Sequence, residues 1–190
     1  MTWESIEAIA AVIAAVVAVF AIWLQNKSFK ANLAADLIMK LDDRFTSSEY
    51  KEIRSKAARS LQLHIDEKEA EDVFDFFETV GLFTRRKALD AEIVHSFFFH
   101  WINVYWNAGR DYILRRQKES KLSWKDFCYL YQKVLEVEKK KDSSSQDISL
   151  SAERLKGYLN DEIEISDSND SLPPDAKPLI SQNTEDQKQP

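Results

Sequence analysis

The sequence predicts an all-α protein: a single N-terminal transmembrane helix running into a cytoplasmic helical bundle, then a disordered acidic tail. Three observations predict it. Proline is absent before Pro173 and only Gly81, Gly109 and Gly157 occur, so the first 172 residues lack the punctuation that strands and tight turns require. Residues 8–24 form a run of seventeen residues without a charge or hydroxyl, "AIAAVIAAVVAVFAIWL". Beyond it, apolar side chains recur at three- and four-residue steps, the period of an amphipathic helix.

The apolar run comes first. A cleaved export signal needs a basic leading segment, and "MTWESIE" contains neither Lys nor Arg. Trp3 and Trp23 lie twenty residues apart, about 30 Å along a helix and close to the thickness of a bilayer's hydrocarbon core. Residues 1–26 are therefore expected to be an anchor. Lys27, Lys30, Lys40 and Arg44 all follow the run, which directs the N-terminus outward and the rest to the cytoplasm, at the cell inner membrane. A stripe of Ala8, Ala11, Ala15, Ala18 and Ile22 offers a close-packing face for self-association, without the glycines that would strengthen it.

Residues 27–141 are expected to be a bundle of four or five helices. The first continues from the anchor as one rod with Phe29, Leu33, Leu37, Ile38, Leu41 and Phe45 inward. "TSSE" at 46–49 reads as a capping box, Thr46 facing Glu49, opening a helix with Tyr50, Ile53, Ala57 and Leu61 as its core face. "DEKE" at 66–69 repeats that logic before Val73, Phe76, Phe77 and Val80, with Gly81 allowing a close neighbour. Asp90 is the expected N-cap of a long helix whose Phe97, Phe98, Phe99, Trp101, Tyr105, Trp106 and Tyr112 surround most of its circumference, which makes it the central one. "SWKD" at 123–126 caps a last helix carrying Phe127, Leu130, Tyr131, Val134 and Leu135. Residues 142–190 hold eleven Asp or Glu against four Lys or Arg, a net of −7 that leaves the rest of the −6 chain at +1. They read as an acidic low-complexity tail, with a short helix at 151–159.

The run "FDFFETVGLFTRRKALDAEIVHSFFFHWINVYW", together with "LIMKLDDRFTSSEYKEIR" and the N-terminal span, resembles an uncharacterised family of short, mostly bacterial, membrane-anchored helical proteins, a domain of unknown function. The resemblance covers roughly residues 1–140. It implies an all-helical domain and an anchor, and it carries over no catalytic residue.

No residue pattern assigns catalysis, a cofactor or a metal. Glu92 and His95 share a helical face, but helix-bundle metal sites need a second Glu-x-x-His pair and two further glutamates. His100 is five residues on, about 140° round the helix, and is no companion ligand. Cys128, the one cysteine, reads as a small buried hydrophobe in a reducing compartment. Three glycines cannot build a phosphate-binding loop. Cationic groups are the stronger signal: Arg85, Arg86 and Lys87, and above all Arg110, Arg115, Arg116, Lys118, Lys121 and Lys125. An ordinary solvated face is the first reading of these groups; on a tethered domain anionic lipid headgroups come next, ahead of nucleic acid, for which no reading motif is present, and the acidic tail is able to fold back on them. Trp101 is expected to be a core anchor. The expected role is a non-enzymatic, membrane-tethered interaction or regulatory module, with the bilayer and a protein or a second copy as partners. A membrane-acting effector in phage or plasmid conflict and an enzyme with an unrecognised bundle site are the alternatives.

Overall fold

The computed structural model describes residues 3–65, 67–141 and 150–169, with side chains from residue 17 onward except at 26–28, 30 and 166–169. Among these residues the chain is all α: α1 (Trp3–Thr46), α2 (Ser48–Leu63), a 3-10 turn (Glu67–Ala70), α3 (Glu71–Arg85), α4 (Ala91–Glu119), α5 (Lys125–Lys141) and α6 (Ala152–Asn169). The first rod is continuous over its 44 residues, so the segment bearing the apolar run and the first bundle helix are one element. Only its last three turns dock. Ile38, Leu41 and Phe45 are buried, Ala34 and Leu37 pack partly on the core, and Phe29 and Leu33, expected inward, point outward.

Among the described residues no helix is long and apolar enough to cross a membrane. Over the first part of the expected span the structure describes the backbone alone: the side chains of residues 8–16, which include Ala8, Ala11 and Ala15 of the small-residue stripe, lie outside the description, as does that of Trp3.

The core is aromatic. Phe45 is fully buried and sits 4.9–5.6 Å, centroid to centroid, from Tyr50, Phe76, Phe77, Phe98 and Trp101. Its contacts with Phe98 and Trp101 are edge-on, the arrangement that aromatic quadrupoles favour. Helix α4 packs against all the other helices, as its encircling aromatics predict. It runs antiparallel to α5, with Trp106 on Tyr131 and His95 on Glu138. Two glycines permit close approach. A Cβ on Gly81 would lie 2.1 Å from the Asp126 carbonyl oxygen of α5, and one on Gly109 would lie 2.3 Å from the Phe74 ring.

Helix starts are partly as expected. Asp90 caps α4, accepting from the Glu92 amide at 2.7 Å. The cap of α2 is Ser47, which accepts from Tyr50 N at 3.3 Å, while the Thr46 hydroxyl turns back to donate to the Asp42 carbonyl at 2.8 Å. Residues 67–70 form the 3-10 turn rather than a capping box, and α3 starts at Glu71 without a side-chain cap. At α5 the expected Ser123 cap is replaced from another helix: Glu78 of α3 accepts from the Phe127 amide at 2.7 Å. The helix expected at 151–159 is twice as long and is packed onto the bundle, not loose in a tail. The remaining tail positions, 142–149 and 170–190, lie outside the described residues.

Candidate functional site

The most polar place in the interior is where α2, α4 and α6 meet. Arg54 lies in the apolar stripe of α2, between Tyr50 and Ala57–Ala58, and Glu162 lies in the stripe Leu155, Leu159, Ile163 of α6. Each helix thus carries one charge inward, and the two charges meet. Arg54 Nε donates to Glu162 Oε2 at 2.7 Å and Nη2 to Oε1 at 2.5 Å, a two-pronged pair with both side chains under a tenth exposed. Arg54 Nη1 donates to the Phe45 carbonyl at 3.1 Å, and the guanidinium lies 4.3 Å from the Phe45 ring centroid and 5.4 Å from that of Trp101. Trp101 Nε1 donates to Glu162 Oε1 at 3.2 Å. The Tyr105 hydroxyl lies 3.1 Å from Glu162 Oε2 and 3.2 Å from the Arg54 carbonyl, two acceptors competing for one proton.

Burial works against the Arg54 charge, but the Glu162 hydrogen bonds and charge outweigh it and hold the guanidinium above its ordinary pKa. Burial also drives the Tyr105 hydroxyl well above 10, so it stays a neutral donor. With two prongs of Arg54, the indole and the phenol around it, the Glu162 carboxylate has its acceptor positions filled. The arrangement is a lock between helices and not a poised general base. Ser55 and Gln62 extend it along α2, donating to the Ile163 carbonyl at 3.2 Å and to Asn160 Oδ1 at 2.6 Å. Beside it Tyr158 closes over His100, 4.6 Å ring to ring, and burial lowers the pKa of that imidazole.

A second polar cluster lies on the α4–α5 face. His95 Nε2 is 2.6 Å from Glu138 Oε2, Lys141 Nζ is 3.2 Å from Nδ1, and the ring stacks on Phe99 at 4.6 Å. Lys141 can only donate, which makes Nδ1 the acceptor and puts the ring proton on Nε2, facing the carboxylate. Both nitrogens are engaged. Glu92, the sequence-adjacent companion of His95, is exposed and takes no part. Among the described residues no three His, Cys, Asp or Glu side chains gather as a metal site.

The other sequence candidates are scattered. Cys128 is half-buried, accepts from Gln117 Nε2 at 3.2 Å, and burial raises its thiol pKa, the opposite of an activated nucleophile. Arg85 is tied to Asp126 at 2.5 Å and 3.0 Å. The six-residue cationic group is interleaved with acid. Arg115 hydrogen-bonds Glu67, Arg116 reaches Glu119 at 2.9 Å and Glu71 at 3.7 Å, and Arg110, Lys118, Lys121 and Lys125 stand exposed without an ion pair among the described residues. Trp101 is half-buried: its ring joins the aromatic core as expected, and its N–H does the further work of holding Glu162. The signal for Arg54 was available, since a charge at an inward position of an apolar stripe requires a buried partner.

A family model described as Domain of unknown function (DUF4760) matches residues 8–134, from the first residue of the apolar run to the middle of α5. No curated protein matches the chain, and no solved structure does.

Proposed function

The chain belongs to the family of the domain of unknown function DUF4760, and on that footing we propose that it is a membrane-tethered, non-enzymatic interaction or regulatory module. In this reading the front half of α1 is a single-pass anchor with its N-terminus outside, and the bundle faces the cytoplasm and engages a protein.

The observation that carries the reading is the outward face of α1. From Val17 to Leu33 the rod presents Val19, Phe20, Ile22, Trp23 and Phe29 more than half exposed, on a helix whose far end is fixed in the core. The part from Val17 to Leu24 exposes its apolar side chains together, which is unfavourable in water and favours a lipid or protein covering. The uncharged sequence from residue 8 lengthens it, and the basic residues on its C-terminal side favour a cytoplasmic bundle. The non-enzymatic part is supported by the two strongest polar clusters, whose central groups, Glu162 and His95, are engaged by partners inside the fold.

Fractionation tests the tether. The full chain should pellet with membranes and resist alkaline extraction, and deletion of residues 1–26 should release it to the supernatant. A C-terminal alkaline phosphatase fusion should be inactive and a fluorescent fusion bright. A full-length chain recovered without detergent in the supernatant would overturn the reading.

A further inference from the structure

The cations of the bundle gather at opposite ends of α4. Helix α3 runs antiparallel to α4, with Phe74 beside Gly109, Phe77 beside Tyr105 and Phe76 beside Phe98. Helix α5 does likewise, so the α3–α4 turn and the last turn of α5 share the end where α4 begins. Arg86, Lys87, Lys139, Lys140 and Lys141 are exposed there. Lys141 donates to the His95 ring, and the other four make no ion pair among the described residues. Of the acids nearby, Asp90 and Glu92 are exposed, Glu138 faces His95 and Glu136 is held by Lys133, which leaves that end net positive. Lys87 has φ 58, the left-handed conformation that closes a helix and that glycine adopts at least cost; here it carries a cation. The group singled out in the sequence, around Arg115 and Lys118, stands at the other end. Arg115 lies twenty residues beyond His95, about 30 Å along the helix.

The route of α1 decides which end approaches a bilayer. Phe45 closes on Phe98 and Trp101. From there toward Glu119, α4 is taken by α2 and the 3-10 turn: Tyr105 bonds the Arg54 carbonyl, Val104 clusters with Ala58, and Arg115 meets Glu67. Ala34, Leu37, Ile38 and Leu41 also reach the core, and the surface left to them is on the side where α4 begins. Helix α1 therefore leaves the bundle at the Arg86–Lys141 end. We propose that this end binds anionic lipid headgroups and seats the bundle against the membrane, with the Arg115–Lys125 end directed away. The inference rests on the tether reading of α1 and names a second, electrostatic membrane contact. Distance separates the two cationic groups. Ten residues from Leu24 to Ala34 span about 15 Å, of which the headgroup region occupies about 5–7 Å. The far group lies roughly 30 Å further. Attraction to the surface fades within a Debye length of about 8 Å, so long side chains at the near end reach it and those at the far end do not.

The test uses the full chain reconstituted into vesicles, with a fluorophore on a cysteine placed at Ala88 or at Leu122, both exposed, in a Cys128→Ser background. Spin-labelled headgroups quench a fluorophore that meets the surface. Vesicles containing phosphatidylglycerol should quench the Ala88 probe at least about twofold more than vesicles of phosphatidylcholine alone, and the Leu122 probe should stay unquenched in both. The difference should vanish near about 1 M salt, where the Debye length is about 3 Å. Combined Arg86→Gln, Lys87→Gln, Lys139→Gln and Lys140→Gln replacement should erase it, whereas Lys118→Gln with Lys121→Gln and Lys125→Gln should leave it intact. The lipid and salt comparisons need no altered cation, so they decide even where the combined variant does not fold. Stronger quenching at Leu122 than at Ala88, or quenching at Ala88 that ignores lipid charge, overturns the proposal. So does release by soluble glycerol phosphate, which would make this end a phosphate site instead of a surface contact. Flotation with the vesicles is read first. A chain that does not float overturns the tether and this proposal together, and one that floats without charge-dependent quenching overturns this proposal alone.

Discussion

Replacing Gly81 by alanine inserts one methyl group between α3 and α5. The Cβ would stand 2.1 Å from the Asp126 carbonyl oxygen, 2.5 Å from its carbon and 3.2 Å from Leu130 Cβ. Ordinary contact begins near 3.4 Å, so the facing backbone must retreat by about 1.3 Å, and a backbone inside a helix retreats only by moving the helix. That motion opens the Phe77–Phe127 stack and strains the Glu78 bond to the Phe127 amide. Overpacking of this kind costs about 1–3 kcal/mol, and rigid backbone places the cost toward the upper end. Alanine's better helix propensity offsets about 1 kcal/mol of it. A net loss of about 2 kcal/mol corresponds to a fall in Tm on the order of 5–10 °C for a domain of this size. Gly157→Ala is the internal control: it gains the same propensity with nothing within 4 Å, so it should hold or raise stability. Thermal unfolding followed by circular dichroism on the two variants reads the difference. A Gly81→Ala chain as stable as Gly157→Ala would mean that α3 and α5 do not touch at that point, and the packing of these two helices would have to be redrawn.

Arg54→Met leaves Glu162 buried without its counter-charge, a loss of about 3–5 kcal/mol if the helix stays docked. Because α6 stands outside the main core, the chain relieves the charge by releasing that helix, so hydrogen exchange should accelerate over 152–165 and change little in α3 and α5; uniform acceleration would refute the separation. Burial raises the Glu78 carboxyl above its ordinary 4.5, so the folded chain binds that proton more tightly, a contribution full below pH 4.5 and lost as pH rises through the native value. Glu78→Gln removes that slope, and denaturant midpoints from about pH 4 upward should shift progressively in the variant's favour; parallel curves would contradict the burial. If Arg110, Lys118, Lys121 and Lys125 touch headgroups, acidic vesicles should bind the chain lacking residues 1–26 weakly and release it as salt shortens the Debye length below about 8 Å, whereas neutral vesicles should not bind. Equal binding to both would leave the group an ordinary solvated face.

Much of the bundle was legible because its signals are local. The Asp90 cap, the Gly81 approach and the ring of aromatics on α4 are each written within a turn or two of the residue that uses them. What escaped depends on residues far apart in the chain. Glu78 caps a helix 49 positions away, and Glu162 completes Arg54 across 108. No spacing rule connects such positions. The length of α6 escaped for a related reason: its acidic composition resembles a disordered tail until Leu155, Leu159, Glu162 and Ile163 find the surface that accepts them. The cationic group is more mixed in charge in the fold than along the chain, since Glu67 and Glu71, which lie beside Arg115 and Arg116, precede them by 48 and 45 residues.

The unbroken α1 has a mechanical consequence. A helix without proline or glycine between Trp3 and Thr46 has no hinge, and its grip on the bundle is confined to the twelve residues from Ala34 to Phe45. The 31 residues before that grip form a lever about 46 Å long. A swing of about 10°, roughly 8 Å of travel at the tip, becomes a rotation of Phe45 against Phe76, Phe98 and the Arg54 guanidinium at the fulcrum. Torque applied at the outer end would thus be felt at the Arg54–Glu162 pair that ties the last helix to α2.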